Sequence, residues 1–274
     1  MADTYAVVGH PISHSKSPVI HSRFARQTGQ DMVYRAIHVV PGEFELAVAQ
    51  FRDQGGKGLN VTLPFKEEAW RLAAERTARA HRARAVNTLW FDAAGVLHGD
   101  NTDGVGLVRD LTVNHRADIR GRRLLLLGAG GATRGVLGPL LDEAPERLTV
   151  ANRTASRAEE LVREFEGAGP LTGCGLDALA GSSFDVVINA TSASLTSSVP
   201  ALPPGVLVAG GWCYDMMYAD EPTAFVRWGW ERGASGSMDG LGMLVEQAAE
   251  SFFIWRGVRP DTAPVIADLR SKAL

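Results

Sequence analysis

The sequence predicts a two-domain α/β protein, and three observations carry the prediction. Strand-like and helix-like stretches alternate almost throughout the 274 residues, the pattern of mainly parallel sheets with helical crossovers. Midway, the apolar run Leu124–Leu127 breaks into Gly128-Ala129-Gly130-Gly131-Ala132-Thr133-Arg134-Gly135, a strand–turn–helix junction of the kind that opens a doubly wound sheet. Before that junction a complete set of strands and helices has already closed at Asp100-Asn101-Thr102-Asp103-Gly104. The expected division is residues 1–103 for the first domain and 104–240 for the second, with the helices of 241–274 returning to pack on the first. A chain of this length buries a substantial core in either one large domain or two small ones.

The elements follow in order. Tyr5–Gly9 reads as a strand, and Ser17-Pro18 as a helix start, with serine as N-cap and proline at the first helical position. That helix runs to about Gln27. Val33–Val39 is a strand, Glu43–Arg52 a helix and Gly58–Thr62 a strand. Phe65-Lys66 opens a long helical region rich in Ala and Arg. Its Arg71, Arg76, Arg79, Arg82 and Arg84 are interleaved with Glu67, Glu68 and Glu75 and have no aromatic platform, which describes a solvated helix face. Thr88–Phe91 and Val96–His98 flank Asp92-Ala93-Ala94-Gly95 as a hairpin, and a helix follows near Val105–Leu111. In the second half, strands are expected at Leu148–Ala151, Phe184–Asn189 and Val206–Val208. Helices are expected at Ala132–Leu141, from Gly240 to about Trp255, and over Val265–Lys272.

Composition narrows the function. Hydrophobic content of 45%, charged content of 22% and a net charge of -3 describe an ordinary globular protein and argue against binding nucleic acid through bulk positive charge. Cys174 and Cys213 lie far apart and suggest neither a disulfide framework nor a metal site. No apolar run approaches a membrane span, and Met1-Ala2-Asp3-Thr4 does not begin an export signal, so a cytoplasmic location is expected.

The glycine junction has a chemical reading. A strand feeding a helix through a tight turn leaves backbone N–H groups free at a helix N-terminus, where a phosphate can sit. Glycine permits the close approach, although the third position of G-x-G-x-x-G is Thr133 here. The next strand ends in Asn152-Arg153-Thr154, with Arg157 one turn further. An acid at that strand end would suit the ribose of NAD; an arginine suits the additional phosphate of NADP, which guanidinium grips through paired charge-assisted bonds. An NADP site is therefore expected. The loop Ala190-Thr191-Ser192 lies over it.

Taken together, His14-Ser15-Lys16-Ser17-Pro18, Asn60-Val61-Thr62-Leu63-Pro64-Phe65-Lys66, Ala85-Val86-Asn87-Thr88, Asp100-Asn101-Thr102-Asp103-Gly104, the glycine loop, Asn152-Arg153-Thr154 and Gln247 resemble shikimate dehydrogenase over nearly the entire chain. The resemblance implies an N-terminal α/β substrate domain, a Rossmann-like NADP domain and an active-site cleft between them. It also implies reversible, NADP-dependent reduction of 3-dehydroshikimate to shikimate in aromatic amino-acid biosynthesis. Lys66 and Asp103 are the implied catalytic pair. Lysine could carry the proton of the reacting hydroxyl or, kept charged by the aspartate, stabilise alkoxide character; the sequence leaves both open. Ser15 and Ser17 are expected at the substrate carboxylate, and Asn60, Thr62 and Asn87 at its hydroxyls, with Tyr218 and Gln247 added by the resemblance. Expected cofactor contacts are Gly128, Ala129, Gly130, Gly131, Ala132, Asn152, Arg153, Thr154, Arg157, Thr191, Met216 and Gly240.

Three positions depart from the family's habit. Arg84 and Ser194 stand at usual glycines, and Ala224 stands at a usual proline. A broader quinate/shikimate dehydrogenase and a catalytically silent nucleotide-sensing relative are the alternatives. The partner implied is the small-molecule substrate, without nucleic acid or membrane; the sequence does not separate a monomer from a homodimer.

Overall fold

A computed structural model describes residues 2–196 and 198–271, and the last residue of the expected C-terminal helix, Lys272, lies outside them. The chain divides into two compact units, one of residues 1–106 with 245–268 and the other of residues 107–244 with 269–274.

The first unit begins with β1 (Asp3–Gly9), α1 (Ser17–Thr28), β2 (Met32–His38), α2 (Phe44–Asp53) and β3 (Gly56–Val61). It continues through α3 (Lys66–Leu72), β4 (Glu75–Arg76), α4 (Ala78–Ala83), β5 (Thr88–Phe91) and β6 (Leu97–Asp100). The sheet runs β2-β1-β3-β5-β6-β4. β1 is parallel to both its neighbours, and the β5–β6 hairpin turns the sheet antiparallel beside β3. Alternation along β1 divides the core. Ala6 and Val8 pack with Phe44, Val48, Phe51, Phe65 and Val86 on one face, while Tyr5 and Val7 pack with Ile12, Tyr34 and Trp255 on the other.

Two expectations need correction here. Ser17 is not the N-cap of α1 but its first residue, with Lys16 in the cap position. The Ser17 N–H already donates to the Ser15 hydroxyl at 3.3 Å, so the serine that relieves an orphan donor sits two residues earlier. Nor does the Ala/Arg-rich stretch form one helix. Backbone donors of Ala74 and Thr77 instead reach the β6 carbonyls of Leu97 and Gly99 at 2.9 and 3.0 Å, which pulls Glu75-Arg76 into the sheet edge. Thr77 then restarts the helix, its hydroxyl accepting from Ala80 N–H at 3.3 Å. Helix propensity lost to a vacant sheet edge.

After α5 (Asp103–Arg109) and one π-helical turn over Asp110–Asn114, the second unit alternates strand and helix. Its elements are β7 (Arg123–Leu127), α6 (Gly131–Asp142), β8 (Arg147–Asn152), α7 (Ala155–Glu164), β9 (Leu171–Gly175), β10 (Phe184–Asn189), β11 (Leu207–Asp215), α8 (Ala224–Glu231) and β12 (Gly236–Asp239). Two helices complete the chain, α9 (Leu241–Arg256) and α10 (Ala263–Ser271). The six strands are all parallel in the order β12-β11-β10-β7-β8-β9, so the winding reverses between β7 and β10. That reversal point is where doubly wound sheets receive ligands. Leu124–Leu127 are fully buried, with Leu124 and Leu126 packing under Val136 and Leu140 of α6 and Leu125 and Leu127 on the opposite face. The edge strands β9 and β12 were not expected, because Leu-Thr-Gly-Cys-Gly and Gly-Ser-Met-Asp lack the β-branched signature; pairing rather than composition makes them strands. Among the described residues no helix is long and apolar enough to cross a membrane.

Candidate functional site

In the first unit four of the predicted site residues, Asn60, Asn87, Asp103 and Gln247, meet in one polar lattice centred on Asn87, which is 3% exposed. Its Nδ2 donates to Thr102 Oγ1 at 2.9 Å, Asp103 Oδ1 at 2.8 Å and Gln247 Oε1 at 3.2 Å. Its Oδ1 accepts from Thr102 N–H at 2.9 Å and from the Thr88 hydroxyl, also at 2.9 Å. Asn60 joins from β3: its Nδ2 faces the Asn87 carbonyl at 3.2 Å and Ser251 Oγ at 3.0 Å, and its Oδ1 accepts from the Tyr34 hydroxyl at 2.7 Å. Burial pushes the pKa of this Tyr34 phenol up, and the Ser17 side chain acts in the opposite direction. Thr62 and Ser15 are half-buried beside this lattice in sequence without a side-chain bond into it.

Lys66 and Asp103 each occupy the first position of a helix, α3 and α5. Lys66 Nζ stands 2.6 Å from Asp103 Oδ2, with 22% and 11% of the two side chains exposed. A charge-assisted bond this short ties the first residues of the two helices together while leaving both side chains partly exposed. Asp103 is held from behind as well. Its N–H donates to Asn101 Oδ1 at 3.1 Å, and Asn101 anchors on the Ala85 carbonyl at 3.0 Å. Asp100 accepts from Asn101 N–H at 2.7 Å and is itself clamped by Arg79, which also bridges to Glu250 at 3.0 Å.

The sequence reading assigned no site role to Tyr34, Thr88, Asn101, Thr102 or Ser251, and Arg79, expected on a solvated helix face, is instead held inward by the Asp100 and Glu250 carboxylates. Ser251 carried a legible signal: it follows Gln247 by four residues and therefore shares its helix face. Fully buried, it sits 2.7 Å from the Thr88 hydroxyl and donates to the Gln247 carbonyl at 3.1 Å.

In the second unit the glycine junction lies at the reversal point. Gly128 has φ +106°, and a Cβ there would stand 3.1 Å from Thr191 Cγ2, so the turn and the loop after β10 touch. Gly130 is the N-cap of α6 without a side-chain bond, which leaves the N–H groups of Gly131, Ala132 and Thr133 to be used by something else. Thr133 itself is fully buried with an unpaired hydroxyl, filling the place where a third glycine would let helix and strand approach. A cavity of about 550 Å³ opens here, lined by Gly128, Asn152, Arg153, Thr191, Ser192 and Ala193 among others. Asn152 Nδ2 donates to the Thr154 carbonyl at 2.9 Å, shaping the strand end. Arg153 and Arg157 are exposed and have no ion-pair partner among the described residues.

Met216 N–H donates to the Asn189 carbonyl at 2.8 Å, and a Cβ on Gly240 would stand 2.3 Å from the Met216 carbonyl oxygen, so only glycine fits there. Tyr218 is half-buried, and burial pushes its pKa up. The structure also accounts for the departures. Arg84 takes the left-handed conformation, φ 47°, at the C-cap of α4. Ser194 donates to Asp215 Oδ2 at 2.5 Å. Ala224 opens α8 without loss, because Thr223 caps it through Val226 N–H at 3.2 Å and also donates to Asp215 at 2.6 Å.

Comparison with known proteins follows the same division. A model of the shikimate dehydrogenase substrate binding domain matches residues 7–89. A shikimate/quinate 5-dehydrogenase model matches residues 110–197, and one of the shikimate 5'-dehydrogenase C-terminal domain matches residues 240–270. The chain is 59% identical over 270 residues to a shikimate dehydrogenase (NADP(+)) of Methylococcus capsulatus, covering 98% of this chain and 97% of that one. Among solved structures, an Ael1 enzyme from Pseudomonas putida is similar with TM-score 0.91 and 48% identity, covering 98% of both chains. Shikimate 5-dehydrogenase from Thermus thermophilus in complex with NADP(H) and shikimate matches with TM-score 0.88 and 31% identity, over 99% of this chain and 100% of that one.

Proposed function

The chain belongs to the shikimate dehydrogenase family, and we propose that its two units divide the reversible, NADP-dependent reduction of 3-dehydroshikimate to shikimate between substrate and cofactor. This is an oxidoreductase reaction on a CH–OH group in the shikimate pathway of aromatic amino-acid biosynthesis. A cytoplasmic location fits it.

The observation that carries the reading is the Lys66–Asp103 pair, 2.6 Å apart and tied through Asn87 to Gln247. In oxidation, the hydroxyl at the reacting carbon must lose its proton as hydride leaves. Lys66 stands at that oxygen: the hydroxyl proton passes to Lys66 Nζ as Lys66 passes one of its own to Asp103 Oδ2, so a charged ammonium faces the oxygen throughout; reduction reverses the path. Asn87, its amide engaged within the lattice, fixes the Asp103 carboxylate and orients Gln247, which binds the flanking hydroxyls; Thr62 and Tyr218 are further substrate contacts in this reading. Asn60, whose amide hydrogens are engaged within the lattice, binds substrate only through its remaining carbonyl lone pair. Ser15 and Ser17 hold the carboxylate by hydroxyl donors beside the α1 N-terminus.

Bound NADP supplies the hydride acceptor for oxidation and, reduced, the hydride donor for the reverse reaction. The residues present fit it. The first-turn N–H groups of α6 and the turn Gly128–Ala132 would take the pyrophosphate, and the β8 end offers two guanidiniums without an ion-pair partner among the described residues. Arg153 grips the 2′-phosphate with Arg157, Asn152 and Thr154 around it; Thr191, Met216 and Gly240 serve the rest of the cofactor.

The test is initial-rate oxidation of shikimate and quinate, each with NADP+ and with NAD+. Shikimate with NADP+ is expected to give the highest kcat/KM. Comparable oxidation of quinate with NAD+ would move the chain to the broader-specificity relatives, and no oxidation of either would leave a silent nucleotide-binding relative.

A further inference from the structure

Asp215, the last residue of β11, is fully buried, and no cation is paired with it among the described residues. Four donors converge on its carboxylate: Ser194 Oγ at 2.5 Å, Thr223 Oγ1 at 2.6 Å, Asn189 Nδ2 at 2.9 Å and Met217 N–H at 3.1 Å. Burial pushes its pKa up while these bonds act in the opposite direction. Such a group is costly to bury unless each of its bonds is made, and the bonds it makes are correspondingly specific.

Two of those donors, Asn189 and Ser194, flank the stretch Thr191–Ala193 that lines the cavity. Asn189, also fully buried, turns its Oδ1 toward Thr191 and accepts from the N–H at 3.1 Å and the hydroxyl at 2.7 Å. The Thr191 hydroxyl in turn accepts from Ala193 N–H at 3.3 Å. Thr191, Ser192 and Ala193 line the cavity, and they are strung between Asn189 on one side and Ser194 on the other. Both ends finish on the same buried carboxylate. Met217 N–H adds the segment that follows β11, next to Met216.

We propose that Asp215 is a positioning residue for NADP, with Ser194 as the tether that fixes the cavity wall Thr191–Ala193 in its binding shape. Neither side chain touches the cofactor in this scheme. Their effect is to remove the ordering cost that a loose wall would add to binding. The inference rests on the assignment of this cavity to NADP. The Ser194 hydroxyl is what joins the far end of that wall to the buried carboxylate.

Replacing Asp215 itself leaves four donors without an acceptor and risks the fold, so Ser194 is the residue to change. NADPH binding is measured by fluorescence titration for the wild type, Ser194→Ala and Ser194→Thr. In Ser194→Ala the Kd for NADPH should rise about three- to tenfold, the loss of one bond to a charged group diluted over a loop. Its Kd for shikimate, and its kcat at saturating NADP+, should stay within about twofold, and Ser194→Thr should recover most of the NADPH affinity. An unchanged NADPH Kd in Ser194→Ala overturns the inference while the tight-binding wild type keeps the NADP assignment. A parallel rise in the shikimate Kd, or no recovery in Ser194→Thr, also overturns it by showing a general structural loss. A wild type that binds no NADPH overturns the cofactor assignment and the inference together.

Discussion

Around Asn87 the side chains satisfy one another, whereas around Gly128 the groups with most to offer a ligand are left unsatisfied. In the first unit Asn60, Asn87, Thr88, Thr102, Asp103, Gln247 and Ser251 form a closed set of buried or half-buried donors and acceptors. In the second unit the α6 N-terminus has no side-chain cap, and the exposed Arg153 and Arg157 have no ion-pair partner among the described residues. The difference matches the two ligands. A small polyol offers only neutral hydroxyls near the reacting carbon, so selectivity requires side chains already locked in register. A phosphate brings its own charge and can be met by backbone N–H groups and flexible guanidiniums that cost little to leave in water.

The comparison can be broken at its centre. Asp103→Asn keeps the shape of the lattice but removes the charge facing Lys66, and kcat should fall on the order of a hundredfold, in the range of general acid–base contributions. NADP+ affinity should hold. Steady-state kinetics read both, and a kcat within threefold of wild type would show that the pair is structural.

A second break works through pH. His21 is fully buried against Tyr34, with ring centroids 4.1 Å apart; neither ring nitrogen makes a hydrogen bond of normal geometry among the described residues, and the Asn60 side chain offsets its burial only in part. Burial therefore pushes its pKa down from 6.5 to about 3. The unfolded chain takes up this proton below its ordinary pKa near 6.5, but the folded protein resists it until about 3. The contribution is whole above pH 6.5 and is lost as pH falls toward 3, at up to about 1.4 kcal/mol per pH unit, so roughly 2 kcal/mol is gone by pH 5. Urea unfolding at pH 7.5 and 5 checks this. His21→Phe should flatten part of the loss, and an identical pH slope in that variant would contradict the assignment.

Much of this contrast could be read before any coordinates, and the reason is physical. The glycine turn, the arginine strand end and the Lys66 and Asp103 motifs are local: neighbours in sequence already determine what they can do. Phe184–Asn189 was legible because its centre, Val186-Val187-Ile188, is a buried β-branched run of the kind a parallel strand covered on both faces requires. The lattice was harder, because Ser251 and Thr88 are 163 positions apart and a serine or threonine alone reads as a turn or cap residue. The break after Leu72 was invisible for the same reason, since the vacant β6 edge that captures Glu75-Arg76 lies more than twenty residues downstream.

The smallest effect expected sharpens the first half of the comparison. Arg84 carries a left-handed φ of 47° just before Ala85, Val86 and Asn87, a conformation that glycine adopts without steric cost. Arg84→Gly should therefore stabilise the fold by about 1 kcal/mol or less and leave kcat and both KM values unchanged. A thermal or urea midpoint that drops would mean that the Arg84 side chain contributes more than its backbone costs.

The division of labour itself is tested most directly by one ratio, kcat/KM with NADP+ over kcat/KM with NAD+ for shikimate oxidation, in the wild type, Lys66→Ala and Arg153→Ala. Lys66→Ala should lower kcat severely with both cofactors and leave the ratio unchanged. Arg153→Ala should leave kcat near wild type at saturating NADP+ and reduce the ratio about tenfold or more, the loss of a charge-assisted phosphate contact. If Lys66→Ala turns over normally, or if Arg153→Ala weakens NADP+ and NAD+ equally, the account is contradicted.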